Sequence, residues 1–357
     1  MNIREIFSAA AIAIRHLTVA SNKQQYLGKG LFPTKKKMGL DLKWLKTSKG
    51  LPVSLAPSNF DAKSTLRSRS GFKMDETQMA FFRESYVVKE EDEQEIMRVE
   101  DSADPYAKEV IDRIYDDADN LIAGAEVVPE RMIMQLLSAP DGSPKIKIQA
   151  NGTNYAYNYD PTGSYKDNNF LELSGTSMWS DTEHSDPLED VSAGMDAVEE
   201  ETGETPSIMI VSKKTMNYLK KNAKIKAAIL SKSETPTVFI TEKKVKELFS
   251  EELGVSIIKY TKKYKDEAGT SHAFYPDGFA TLIPTGALGN TWYGCTPEER
   301  TGMASTDADV QLIGDTGIAV MVTSTHDPEQ TKTTVSEIVL PSFERMEETF
   351  QIKCYEE

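Results

Sequence analysis

Residues 103–142 read ADPYAKEVIDRIYDDADNLIAGAEVVPERMIMQLLSAPDG, and this stretch decides the fold. Asp104 before Pro105 is a helix-start signal: the carboxylate accepts from a free backbone N–H of the first turn, and proline fits where no amide donor is needed. Val110, Ile114, Ala118, Leu121, Ala125, Val128, Met132 and Leu136 then recur every three or four positions, which makes one apolar face. Pro140 and Gly142 close the run. At 1.5 Å per residue, a helix over about 104–139 spans roughly 50 Å, several times the average helix length. Pro129 removes one hydrogen bond within it and is expected to bend the rod without ending it, because apolar positions continue beyond. Such a rod is longer than a catalytic pocket requires. It reads as a strut.

The chain of 357 residues can bury a sizeable core, as one large domain or two to three small ones. A hydrophobic content of 39% with 27% charged residues belongs to a folded globular chain and excludes wholesale disorder. Cys295 and Cys354 give no disulfide framework and suit a reducing compartment. No apolar run approaches membrane-spanning length, so no membrane partner is expected. The opening MNIREIFSAAAIAIRHL (1–17) has the outline of a secretion signal. Its apolar stretch Ile6 to Ile14 is short, however, and stops at Arg15 and His16 without a cleavage site, so an amphipathic N-terminal helix is expected.

The net charge of −15 is unevenly spread. Residues 1–74 hold 14 Lys and Arg against three acids, a balance of +11, which leaves −26 on the remainder. A basic arm on an acidic body is either a nucleic-acid-binding tail or an arm that lies on the acidic body of a neighbouring copy. The overall acidity disfavours a protein whose main business is gripping phosphates, so the second reading is preferred.

Outward from the strut, a strand is expected at Leu40 to Lys46, followed by the polar excursion SNFDAKSTLRSRSGFKMDETQ (58–78), read as a projecting two-stranded loop. Beyond the strut, KIKIQANGTNYAYNYD (145–160) is a hairpin around Asn151-Gly152. A mixed α/β region follows. Asp186-Pro187 starts a helix buried through Leu188, Val191, Met195 and Val198 and stopped by Gly203. PSIMIV (206–211) and PTVFI (236–240) read as strands, and Thr241 and Gly254 bracket a further helix. VSIIKYTKKY (255–264) is expected to pair with SHAFY (271–275), and the last 25 residues hold two more strands.

Motifs for chemistry are thin. Asp315-Thr316-Gly317 has the triplet of aspartic proteases, but those need two aspartates sharing a proton, and a turn with Asp315 bonding its own backbone explains the residues. SDTEHSDPLED (180–190) is oxygen-rich but lacks the spacing of a calcium loop, so a loop entering a helix N-terminus is the plainer account. Histidines and cysteines have no zinc spacing, and no nucleophile elbow, Walker loop or dinucleotide fingerprint occurs. No catalytic residue, cofactor or metal is therefore expected. The sites of such a protein are surfaces.

Five stretches in fixed order carry a resemblance: LFPTKKKMGLDLKWL (31–45), TLRSRSGFKMDE (65–76), SADPYAKEVIDRIYDDADNLIAGAEVVPERMIMQLLSA (102–139), LSGTSMWSDTEHSDPLEDV (173–191) and FYPDGFATLIPTGALGNTWYGCTPEE (274–299). Their sequence resembles the tailed-bacteriophage major capsid proteins of Hong Kong 97-type fold, and among them the lambda-type major capsid protein E family. The resemblance implies an α+β capsid fold. Its parts would be an N-terminal arm (1–33), an extended two-stranded loop (50–86), a peripheral domain with the long spine helix (34–49, 87–164 and 329–357) and an axial α/β domain (165–328). It implies a structural, non-enzymatic subunit that self-assembles through pentamers and hexamers into an icosahedral shell enclosing double-stranded DNA, without sequence-specific binding. Scaffolding, portal and decoration proteins would be its partners, and the virion its location after the host cytoplasm. Lys35, Lys36, Lys37, Lys63, Arg67, Arg69 and Lys73 are the candidate contacts between subunits, and Pro129 the candidate bend of the spine. A cellular nanocompartment shell of the same fold is the near alternative, and a protease through Asp315 the distant one.

Overall fold

The computed structural model describes residues 8–20, 26–45, 74–88, 90, 94, 105–150, 153–231, 240–266, 269–304, 309–326 and 329–355. Its elements begin with helices α1 (Ala9–Ala20) and α2 (Leu27–Leu31), strands β1 (Thr34–Lys36), β2 (Asp41–Leu45), β3 (Met74–Gln78) and β4 (Ala80–Val88), and the long helix α3 (Pro105–Leu137). Next come β5 (Lys145–Ala150), β6 (Thr153–Asn158), α4 (Ser164–Asn168), β7 (Phe170–Glu172), α5 (Pro187–Thr202), β8 (Ile208–Val211), α6 (Lys213–Lys221), α7 (Ala223–Ser231) and α8 (Glu242–Leu253). The last are β9 (Ser256–Lys259), β10 (Lys263–Lys265), β11 (Ser271–Ala273), β12 (Phe279–Ile283), β13 (Gly289–Tyr293), α9 (Pro297–Ala304), β14 (Asp309–Leu312), β15 (Ala319–His326), β16 (Glu329–Phe343) and β17 (Phe350–Lys353).

The 33 residues of α3 run unbroken through Pro129. Its buried face differs in mid-helix from the apolar stripe of the sequence. Ala118, Ile122, Met132, Ile133 and Leu136 are buried, but Leu121, Ala125 and Val128 are only half-buried, while Glu130 is 2% exposed. The cause is a polar partner: the Gly28 N–H, in the first turn of α2, donates to Glu130 Oε2 at 2.8 Å. A carboxylate aimed at free amides of a helix start is stabilised there and tolerates burial. Asp104 and the side chains of Val110 and Ile114 lie outside the described residues.

Two compact units divide the chain, one from residues 1–43, 76–132 and 289–342, the other from 44–75, 133–288 and 343–357. The first is built on a sheet of order β1-β13-β16-β15-β14, with β4 also paired to β16. β16 is its axis: it runs antiparallel to β15 from Glu329 to Ser336 and to β4 from Thr331 to Val339. The described end of the polar excursion is β3, which pairs with β2 as a separate ribbon, while β4, at the end of the loop expected over 50–86, belongs to this sheet. The core of this unit takes in Phe32, Ile122, Met132, Tyr293, Val320, Val339 and Leu340. Thr316-Gly317 lies in the β14–β15 turn. There it is Thr316, rather than Asp315, that closes the turn, its hydroxyl donating to the Ile313 carbonyl at 2.6 Å.

The second unit holds a mixed sheet of order β7-β17-β12-β8-β9. β12 is antiparallel to β17 and β8, whereas β7 and β9 join in parallel. This corrects one expectation, since only Lys263–Lys265 of the segment after α8 pairs with β11, and Ser256–Lys259 joins β8 instead. Isoleucines 257 and 258 gain a place in a sheet covered by helices, which a free hairpin does not offer. Trp179, Val191, Val198, Met209, Leu219, Phe249 and Ile352 form the centre of the core, each contributing about 1.5–3 kcal/mol by burial. Local signals set the helix ends. The Asp186 carboxylate accepts from the Glu189 N–H at 3.4 Å and Thr241 Oγ1 from the Lys244 N–H at 3.4 Å, while Gly203 and Gly254 adopt φ of 75° and 69° as stops. The strand expected at 236–240 lies outside the described residues, Ile240 excepted.

The free carbonyls at the end of α3 are met by side chains from this second sheet. The Gln351 amide donates to the Leu136 carbonyl at 2.8 Å and accepts from the Ala139 N–H at 2.8 Å, and Thr281 Oγ1 donates to the Leu137 carbonyl. Without such partners these groups would be buried and unsatisfied.

Candidate assembly surfaces

β1 is an edge strand that carries Lys35 and Lys36, with Lys37 just beyond its end. Lys36 Nζ reaches Glu299 Oε1 at 2.5 Å, a carboxylate only 4% exposed on α9. Lys35 Nζ stands 5.5 Å from the centre of the Trp292 ring on the neighbouring strand, and Lys37 Nζ donates to the Asp41 carbonyl at 2.9 Å. Beside this edge, Glu298 is held by Arg83 at 2.6 Å and by the Ser336 hydroxyl at 2.6 Å. The buried acids of α9 thus explain the basic residues of two strands. Burial, then Glu299, raises the nearby Cys295 thiol, which keeps it protonated and unreactive. Lys63, Arg67, Arg69 and Lys73 lie outside the described residues, so the structure brings together only Lys35, Lys36 and Lys37.

A second surface is one the sequence reading missed. α1 is the expected N-terminal helix, but part of its charge is answered within the same chain. Arg15 meets Asp112 at 2.9 Å, Asp116 at 3.5 Å and Asp119 at 3.9 Å, with its guanidinium 4.6 Å from the Tyr115 ring centre. The signal was present in the i, i+4, i+7 spacing of those aspartates, which places them on one helix face. His16 is fully buried, 3.2 Å from Asp119 and 3.8 Å from Glu126. The outer face of α1 is apolar: Ile14 is 65% and Leu17 46% exposed. With Ala10, Ala13, Gln311, Leu312 and Gly314 they line an open groove of about 480 Å³.

The second unit offers no built metal site among its described residues. In the oxygen-rich loop, Asp181 Oδ1 accepts from the Glu183 and His184 N–H groups, both at 3.1 Å, and from the His184 ring. That ring and those amides hold the Asp181 carboxyl below the usual range. Asp186 caps α5 and pairs with Lys224 at 2.7 Å. Its oxygens are committed to the chain's own donors. A more open feature is the β10–β11 hairpin, where Tyr264 lies 4.9 Å from Phe274 and 5.6 Å from His272 between ring centres.

No curated protein matches the sequence. Among solved structures, a phage-related protein from Bordetella bronchiseptica RB50 is similar at 15% identity, with 97% of both chains covered and a TM-score of 0.58. A prophage protein of E. coli CFT073, described as a capsid protein, is similar at 16% identity, with 99% of both chains covered and a TM-score of 0.58. The capsid subunit of Cyanophage A-1(L) follows at 11% identity, covering 92% of this chain and 91% of that one, with a TM-score of 0.53. At such identities the likeness speaks for the fold, the α+β capsid fold of Hong Kong 97 type. The family is given by the sequence itself, which matches the profile of phage major capsid protein E over residues 10–354. A match running nearly from end to end makes this chain a member of the phage major capsid protein E family.

Proposed function

We propose that the chain is the tile of an icosahedral phage head, joining as pentamers and hexamers around double-stranded DNA that it encloses without reading its sequence. The observation that carries this is membership of a capsid family over residues 10–354. In this reading, residues 1–33 are the arm, 50–86 the extended loop, 34–49, 87–164 and 329–357 the peripheral domain, and 165–328 the axial domain around each symmetry axis. The net charge of −15 suits a container that must not cling to packaged phosphates. The charge split supports overlap of copies, with Lys63, Arg67, Arg69 and Lys73 reaching the acidic body of a neighbour. Lys35, Lys36 and Lys37 at the β1 edge are further contacts, although Lys36 is also held by Glu299 and Lys37 by the Asp41 carbonyl within the chain. Pro129 is the bend of the spine. A scaffolding protein, a portal and a decoration protein are the further partners, assembly takes place in the host cytoplasm, and the tile performs no catalysis.

The test is sedimentation with negative-stain microscopy of the chain alone and with its scaffold. Closed shells or curved sheets in either sample are expected. A monomer or dimer in both, at high concentration and varied salt, would overturn the reading.

A further inference from the structure

Glu337 is fully buried in β16, and neither of its carboxylate oxygens has a hydrogen-bond partner among the described residues. An ionised carboxylate left so costs far more than a neutral one, and the group keeps its proton instead. From α3, Glu126 acts on it, and from β13 Tyr293, whose hydroxyl is pushed up by burial and by both glutamates. Across the strand pair stands Phe82 of β4, and on the same face, opposite Val335, the exposed Glu84. Burial first, then Glu126, raises the Glu337 carboxyl well above the ordinary range.

Glu126 also faces the N-terminal helix. His16 Nε2 lies 3.8 Å from Glu126 Oε2, and His16 Nδ1 lies 3.2 Å from Asp119 Oδ1. Arg15 of the same helix meets Asp112, Asp116 and Asp119, while Tyr26 feels Glu126 and Glu130 from the start of α2. Glu126 is therefore shared between a sheet residue and a helix residue, so the two are linked through one charge.

We propose that the proton on Glu337 is a latch for the N-terminal helix: while it is held, Glu126 and Glu337 carry one negative charge between them and α1 stays seated on α3. When the proton passes to bulk water, a buried charge on Glu337 faces the half-buried Glu126, α3 is pushed from β16, and α1 loosens along the side that Arg15 and His16 hold to α3, leaving the Ala9 N–H on Asp309 of β14 as its other tie. The packed state binds this proton more tightly than the open state does. Its stabilisation is complete below the value of an exposed glutamate and is lost as pH rises through the raised value.

The test is hydrogen exchange of residues 9–20 in the full chain, corrected for base catalysis, from about pH 6 to about pH 9. In the wild type the opening constant is expected to rise about tenfold per pH unit until the carboxyl has titrated, with α8 as an unaffected reference, and in Glu337→Gln to stay level. Equal slopes in the two proteins, or no slope in the wild type, overturn the proposal. Should Glu337→Gln fail to fold, infrared spectra of the wild type decide. A protonated-carboxyl band that fades over the range where α1 loses protection supports the latch, and absence of that band at the acidic end overturns it.

Discussion

Gly289 has no room for a side chain: a Cβ there would stand 1.8 Å from the carbonyl oxygen of Ser342. The obstacle is backbone in the paired strand β16, which cannot step aside. Gly289→Ala is expected to destabilise the first unit by about 3 kcal/mol or more, read as a fall in urea midpoint. Gly30→Ala, where an added Cβ meets nothing within 4 Å, is the control and should leave the midpoint unchanged or higher. Asn222 is a polar counterpart in the second unit. Its amide donates to the Ser185 carbonyl and hydroxyl, both at 3.0 Å, and accepts from the Ile225 N–H at 3.0 Å. Asn222→Ala leaves buried groups without partners and should cost about 1–3 kcal/mol. A loss below a few tenths in the same titration would show that water takes over these bonds. Neither residue declares its role in the sequence, because the atoms that constrain it are far along the chain. The buried glutamates 130, 298 and 337 were illegible for the same reason. Pattern reading sends Glu to the surface, and only a remote amide, arginine or shielding sheet reverses that.

At the scale of elements, what was legible is what local chemistry sets. The span of α3, the ends of α5 and α8 and the β5–β6 hairpin follow from caps, glycines at positive φ and periodicity within a few residues. The parallel joins β8–β9 and β17–β7 were not legible, since their partners are separated by a helix or more and any apolar run fits either neighbour. α3 also yields two predictions. If Pro129 sets the bend of the spine, Pro129→Ala restores one helix hydrogen bond and straightens the rod, and shells should form with altered procapsid shape or expansion by microscopy. Identical particles would remove the bend from the account. The Arg15 contacts are partly exposed, its side chain being 31% accessible, so Arg15→Ala should cost no more than about 1 kcal/mol, and less as salt screens the aspartates. Thermal unfolding at low and high salt measures both parts.

For the whole molecule, charge is the readable quantity. The first 74 residues carry +11 against −26 for the rest, and if copies overlap through these fields, assembly is sensitive to ionic strength. The concentration needed for shell formation, followed by light scattering, is expected to rise from about 0.05 M to about 0.5 M salt. An unchanged or falling threshold would assign assembly to apolar contacts such as the Ile14–Leu17 face instead. The candidate contacts were legible only as composition: basic residues could be counted, but their partners could not. The order of strands has a consequence in time. β16 is the axis of one sheet, and β17 lies inside the other, between β7 and β12. Both come from residues 329–353, after every strand they pair with. A ribosome making this chain therefore completes the two sheets nearly together. A chain that stops before residue 329 lacks the axis of one sheet and an inner strand of the other.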